Sequence, residues 1–191
     1  MIRLIPVLET YINQYTLQNI VASSGRFSIQ YKSPMMATAH TLVAGAIAAK
    51  VGNPALALTL AFSSHFILDS IPHWDFGTNW RKRTKLATGT FAILDTTIGF
   101  ILAWVLFAGS VPPYLLLGCL VLSVIPDWLE APWYIFFADP NNKGPKINAG
   151  LLEKACYGVY KLTSKVHTRG TFPWGVFSQI ATVTFFLLVL R

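Results

Sequence analysis

Apolar positions along the chain fall into five long segments that are separated by short polar stretches. The segments cover residues 37–51, 55–71, 86–108, 114–137 and 172–190. A helix needs about 20 apolar residues to cross the hydrocarbon core of a bilayer. The third and fifth segments are long enough by themselves, whereas the other three can span only as parts of a bundle. The pattern predicts an all-α, polytopic membrane bundle of about five transmembrane spans.

A different pattern follows the polar stretch 139–150. Apolar residues recur there at helical spacing, while Lys154, Lys161 and Lys165 occupy other positions of the same helix. This arrangement predicts an amphipathic helix that lies in the membrane interface, with a helix packed on the bundle as the alternative. The apolar positions are Leu151, Leu152, Ala155, Val159, Leu162 and Val166.

The first part of the chain lacks this patterning. It also lacks the compact basic region, the apolar run and the cleavage site of a signal peptide. We interpret residues 1–34 as an N-terminal extension and residues 35–191 as the integral membrane domain. Because apolar patterning begins at Met35 and Met36, our hypothesis is that one of these two is the natural start.

Composition supports a membrane location and excludes several classes of protein. Only 12% of the residues are charged and 53% are hydrophobic, whereas soluble domains carry about 25% charged residues. A disordered segment and a water-soluble nucleic-acid-binding protein are therefore excluded. With the N-terminus inside, 13 of the 15 Lys and Arg residues fall on the cytoplasmic side. Basic residues gather on that side of membrane proteins, so we expect an inner-membrane protein with a cytoplasmic N-terminus.

Most of the acids and histidines lie inside or at the ends of the apolar segments, where ionisable groups are costly and usually functional. His65 and Asp69 are four residues apart and therefore share one helix face. Pro72 should end or kink that helix, which leaves His73 and Asp75 on an irregular exit. The predicted topology places the whole set in the cytoplasmic half of the bundle: His40, His65, Asp69, His73, Asp75, Asp95, Asp127, Glu130, His167 and Arg169.

A short sequence occurs twice in the chain. Residues 71–74 read Ile-Pro-His-Trp, and residues 125–128 read Ile-Pro-Asp-Trp. Each follows an apolar segment and is followed by an acid. The match predicts an internal duplication of a two-helix unit, which is common in membrane proteins.

Imidazole and carboxylate groups are the ligand types of Zn²⁺, Mn²⁺ and Fe²⁺, so the set predicts a divalent metal site, with Zn²⁺ or Mn²⁺ favoured. We expect Asp75 or Glu130 to act as general base and Arg169 to bind phosphate. Alternatively, His73, Asp75 and Glu130 cap broken helix ends, and Asp95 pairs with a histidine. The candidate ligands are His40, His65, Asp69, His73, Asp95, Asp127 and His167.

Four features resemble the bacterial membrane-bound metal-dependent hydrolase family of small multi-span inner-membrane proteins. They are an early histidine, the motif SHFILD at 64–69, the Ile-Pro-Asp ending at 125–127 and the motif HTRGTF at 167–172. The resemblance covers roughly residues 36–180. It implies metal-dependent hydrolysis, and the matching positions are His40, His65, Asp69, Asp127 and His167.

The sequence thus predicts a metal-dependent hydrolase that acts on a phosphoester or lipid-derived substrate at the cytoplasmic membrane face. Its expected partners are membrane lipid and such a substrate, without nucleic acid. Two alternatives stay open. One is a carrier of ions or small solutes, and the other is a scaffold in which the same groups lock helices together without catalysis. The oligomeric state does not follow from the sequence.

Overall fold

The computed structural model describes residues 36–73, 84–139, 144–168 and 173–190. Within these ranges the chain forms six α-helices and no strand, which confirms the all-α prediction. A π-helical turn, Trp133–Phe137, continues the fourth helix. The proposed N-terminal extension lies outside the described residues. The helices are α1 (Ala37–Lys50), α2 (Pro54–Ser70), α3 (Lys85–Phe107), α4 (Pro113–Pro132), α5 (Leu151–Thr163) and α6 (Trp174–Val189).

Helix α1 lies at the centre of the bundle, where it contacts α2, α3, α4 and α6. Ten of its 14 residues are buried, and six of these are alanine or glycine. Small side chains allow neighbouring helices to approach closely. At about 1.5 Å per residue, α1 is only about 21 Å long, which is shorter than the roughly 30 Å hydrocarbon core.

The contact between α1 and α3 is set by glycine. A Cβ atom on Gly99 would lie 2.7 Å from the Cα atom of Thr38 and 2.5 Å from Oγ1 of Thr41. A Cβ atom on Gly45 would overlap the ring of Phe107. Both helices therefore approach more closely than any side chain at these two positions would permit.

Two helices are long and apolar enough to cross a membrane. They are Lys85–Phe107 and Pro113–Phe137, the second of which includes the π-helical turn. The sequence predicts that the fifth segment also has sufficient length, but α6 contains only 16 residues in the structure. The five-span arrangement is therefore not confirmed beyond these two candidate spans.

The two Ile-Pro sequences occupy different structural positions. Pro72 follows the end of α2 at Ser70, as predicted. Pro126 instead lies inside α4, which continues past it. The duplication of a two-helix unit stays a prediction.

Helix α5 packs on the bundle through its aromatic face. The Trp133 ring stacks on Tyr160, with centroids 6.0 Å apart, and lies 4.9 Å from Tyr157. The opposite face is exposed, with Leu151 at 86% and Leu162 at 67% of their full accessibility. The predicted helix is confirmed, and it combines packing on the bundle with an uncovered apolar surface.

Candidate metal centre

Five of the predicted side chains meet in one buried cluster. The chain brings them from four places: His40 from α1, His65 and Asp69 from α2, Asp127 from α4, and His167 from the segment after α5. The first three are almost fully buried. The side chains of Asp127 and His167 are 17% and 6% exposed. We call these five residues the His/Asp cluster.

The carboxylate of Asp69 lies at the centre of the cluster. Its Oδ1 atom is 3.3 Å from Nε2 of His40. Its Oδ2 atom is 3.2 Å from Nε2 of His65 and 2.8 Å from Nε2 of His167. Nε2 of His65 also lies 3.7 Å from Oδ1 of Asp127. One carboxylate therefore contacts three imidazoles.

Backbone carbonyls fix the orientation of two of the rings. Nδ1 of His65 lies 2.8 Å from the Ser123 carbonyl, and Nδ1 of His167 lies 3.0 Å from the Thr163 carbonyl. A carbonyl can only accept, so each Nδ1 carries a hydrogen, and in the neutral ring each Nε2 then presents a lone pair to the cluster. Metal-binding histidines usually have this arrangement.

Local sequence explains how the chain reaches this geometry. The four-residue spacing of His65 and Asp69 places both on the inner face of α2, as predicted. Pro126 has no N–H and crowds the preceding turn of α4, where the Ser123 carbonyl meets His65. The N–H of Thr168 donates to the carbonyl of Asp69 at 2.8 Å. This bond holds the segment that carries His167 against the end of α2.

Buried polar atoms almost always have hydrogen-bond partners, but the inward-facing atoms of the cluster have none among the described residues. The contacts between these atoms are at ion-pair distances. Ligands held 2.0–2.1 Å from a cation at tetrahedral angles lie about 3.4 Å apart, and the observed 2.8–3.7 Å contacts bracket that spacing. The cluster could therefore hold a metal ion. The atoms are Nε2 of His40, His65 and His167, both carboxylate oxygens of Asp69, and Oδ1 of Asp127.

His167 is the cluster member that lies outside the helices, and its ionisation depends on Asp69. Burial disfavours the protonated ring, but the Asp69 carboxylate and the Thr163 carbonyl outweigh burial and raise the pKa of His167 to about 9. A proton and a metal ion compete for the same Nε2 atom. Metal-free protein therefore pairs a protonated His167 with an ionised Asp69.

Asp95, a predicted ligand, does not join the cluster. Its Oδ2 atom accepts from the N–H of Ala37, and its Oδ1 atom accepts from the hydroxyl of Thr38, both at 2.6 Å. Asp95 on α3 therefore caps the N-terminus of α1, where a negative charge also suits the helix dipole. The sequence contains an indirect indication of this role. Met36, the residue before α1, does not cap the helix with its side chain, so the helix needs a cap from elsewhere in the chain.

The other predicted site residues have different positions. His73 is buried beside the cluster, with its ring centroid 6.4 Å from that of His167, but it belongs to neither ligand group. Glu130 is buried on α4, where its Oε2 atom accepts from the hydroxyl of Tyr134 at 3.2 Å. Asp75 and Arg169 lie outside the described residues. The sequence did not indicate Tyr134 or the two orienting carbonyls.

Asp95→Ala should destabilise the fold and weaken metal binding together. Loss of the cap should lower the free energy of unfolding by about 1–2 kcal/mol, and it should loosen the helix that positions His40. Denaturant unfolding in detergent and zinc titration would measure the two effects. Thr96→Ala is the matched control, since the Thr96 hydroxyl donates to the Ala92 carbonyl within α3 itself. Equal stability of the two variants would contradict the capping role.

Comparisons of the chain with known protein families, with curated proteins and with solved structures found no match. The assignment of a function therefore depends on the geometry of the site and on the motifs that the sequence contains.

Proposed function

We propose that this chain is an integral membrane metal-dependent hydrolase that acts on a phosphoester of a lipid-derived substrate. The observation that supports it is the convergence of three imidazole Nε2 atoms and two carboxylates, buried and without hydrogen-bond partners among the described residues. Nitrogen and oxygen ligands without a thiolate favour Zn²⁺ or Mn²⁺. The motif resemblance to bacterial membrane-bound metal-dependent hydrolases points to the same chemistry.

In this proposal the His/Asp cluster binds the metal ion, and other residues accept a proton and bind the phosphate. A divalent cation would lower the pKa of a water molecule to about 7 and polarise the scissile group. Glu130 follows Asp127 by three residues on α4, so both lie on one helix face. Tyr134 orients Oε2 of Glu130, while the buried Oε1 atom has no hydrogen-bond partner among the described residues. We assign Glu130 as the proton acceptor, and Arg169, two residues after His167, as the phosphate-binding group.

A purely structural role for the cluster is less consistent with the geometry. If these groups only locked helices together, each polar atom would be expected to have its own hydrogen-bond partner, as the carboxylate oxygens of Asp95 have on α1. Three Nε2 atoms instead converge on the single carboxylate of Asp69. The Ser123 and Thr163 carbonyls orient two of the three rings in this way.

Exposed apolar surface supports a membrane location. In the most apolar 18-residue stretch of α3, only 11% of the residues are buried. Large apolar side chains such as Ile101, Val105 and Leu106 are exposed there. Soluble monomers rarely expose large contiguous apolar patches. The distribution of Lys and Arg around the five predicted segments supports our proposal of an inner-membrane location with a cytoplasmic N-terminus.

The surface of α5 favours a lipid-derived substrate. Its exposed leucines adjoin the exposed Lys154 and Lys161, and a helix with an apolar face and a basic edge suits an anionic bilayer surface. A groove of about 430 Å³ lies between Pro72 and α6 and is lined mostly by apolar side chains, including Trp174 and Phe177. Because Pro72 adjoins His73 beside the cluster, the groove could receive an acyl chain of a lipid whose phosphate reaches the cluster.

A hydrolysis assay tests the proposed function. Purified protein loaded with Zn²⁺ or Mn²⁺ should cleave bis(p-nitrophenyl) phosphate or an anionic phospholipid in micelles, and EDTA should abolish the activity. Glu130→Gln should lower kcat by about 10²–10⁴-fold while the metal content stays unchanged. Glu153→Gln is the matched control, because Glu153 belongs to an exposed hydrogen bond with the N–H of Lys146.

Two results would contradict the proposal. Metal-loaded protein that moves a phosphoester across vesicles without cleaving it would favour a carrier. Protein that retains no stoichiometric metal and is unaffected by His65→Ala would favour a scaffold.

A further inference from the structure

The ligand atoms of the His/Asp cluster fall into two groups that share one residue. His40, His65 and Asp69 form the first group, and Asp69, Asp127 and His167 form the second. Within each group all the ligand atoms lie within 4.8 Å of one another. We propose that the cluster holds two divalent cations, one in each group, bridged by the carboxylate of Asp69. This inference rests on the proposed function.

The ligand atoms of the cluster are too far apart for all of them to bind one cation. Ligand atoms on opposite sides of a cation lie at most about 4.2 Å apart when each bond is about 2.1 Å long. The five residues do not form one group even at the wider limit of 4.8 Å. A single ion could therefore use only part of the set, and the remaining buried groups would keep their ligand atoms unpaired at a considerable energetic cost.

Both oxygens of Asp69 face the cluster, and each has a different histidine as its nearest neighbour. Oδ1 lies near Nε2 of His40, and Oδ2 lies near Nε2 of His167. A carboxylate whose two oxygens meet different histidines can bind one cation through each oxygen. Nε2 of His65 lies between the groups, at 3.2 Å from Oδ2 of Asp69 and 3.7 Å from Oδ1 of Asp127. His65 therefore belongs to the first group and also contacts Asp127 of the second group.

Charge balance indicates the substrate class that such a centre would take. Two divalent cations exceed the negative charge of Asp69 and Asp127 by about two units, so the centre attracts an anion. Paired cations about 3.5–4 Å apart stabilise both the attacking and the leaving oxygen of an in-line displacement. A phosphate mono- or diester has the charge and the two opposed oxygens that this arrangement requires.

Metal counting on the full-length protein tests the inference. After reconstitution with Mn²⁺ and removal of excess metal, elemental analysis should find two ions per chain. The electron paramagnetic resonance spectrum should show the multiline signal of exchange-coupled Mn²⁺. His40→Ala and His167→Ala should each keep one ion, and Glu153→Gln should keep two. Circular dichroism of each variant would verify its helical fold.

The possible outcomes separate this inference from the proposed function. One ion per chain in the wild-type protein, or two ions with the uncoupled six-line spectrum of isolated Mn²⁺, would overturn the bridged pair and leave a mononuclear hydrolase. No bound ion would overturn both. Because the wild-type spectrum alone decides the coupling, the test does not depend on whether the variants fold.

Discussion

Asp69→Asn should abolish metal binding. Asp69 is the only cluster residue that contacts three histidines, and its substitution by an amide of the same shape removes the negative charge while preserving the packing. Loss of an outer partner of a metal ligand costs 10- to 100-fold in affinity, so loss of this central ligand should exceed about 100-fold. Elemental analysis after dialysis and isothermal titration with Zn²⁺ would measure the change.

The same substitution should alter the pH dependence of stability in metal-free protein. The pKa of His167 is raised from 6.5 to about 9 in the folded state. The ion pair with Asp69 therefore contributes fully below pH 6.5 and is lost as the pH rises through 9. At 1.36 kcal/mol per unit, the contribution is about 3 kcal/mol. Asp69→Asn should remove this slope between pH 6.5 and pH 9.

Denaturant unfolding in EDTA at several pH values would measure that slope. Glu153→Gln serves as the control, because it removes a carboxylate outside the cluster and should change neither metal content nor slope. Normal metal content in Asp69→Asn would contradict the central role of this residue.

Hydrophobic spacing was sufficient to locate the helices. When the π-helical turn is counted with α4, the predicted segments begin and end within three residues of the observed helices, because helical periodicity is a local property of the chain. The number of spans was not predictable in the same way. It depends on where each helix ends, and α1 and α6 are both too short to cross the hydrocarbon core without help from neighbours.

The candidate site was predictable in its members but not in its arrangement. His65 and Asp69 could be paired from their spacing alone. Asp95 and Asp127 are both aspartates within apolar segments, so the sequence does not distinguish them. Asp95 faces α1 because α3 approaches α1 closely at Gly99, which lies one helical turn after Asp95. Orienting groups such as the Ser123 carbonyl are backbone atoms, which every residue has, so the sequence contains no mark of them.

Gly99→Ala and Gly89→Ala should change stability in opposite directions, although both place a methyl group on α3. The Cβ atom at position 99 would lie 2.7 Å from the Cα atom of Thr38, which is backbone and cannot rotate away. The helices must separate, and overpacking of this kind costs about 1–3 kcal/mol. At position 89 no atom of the described residues lies within 4 Å, so alanine should stabilise the helix by about 0.5–1 kcal/mol.

The two glycines should also differ in their effect on the metal centre. A shift of α1 away from α3 moves His40 and disturbs the Asp95 cap, so Gly99→Ala should weaken zinc binding, whereas Gly89→Ala should not. Thermal unfolding in detergent and zinc titration of the two variants would measure both effects. Shifts of the same sign and size would show that α1 and α3 are not in close contact at Gly99. The position of His40, and with it the geometry of the cluster, would then need another explanation.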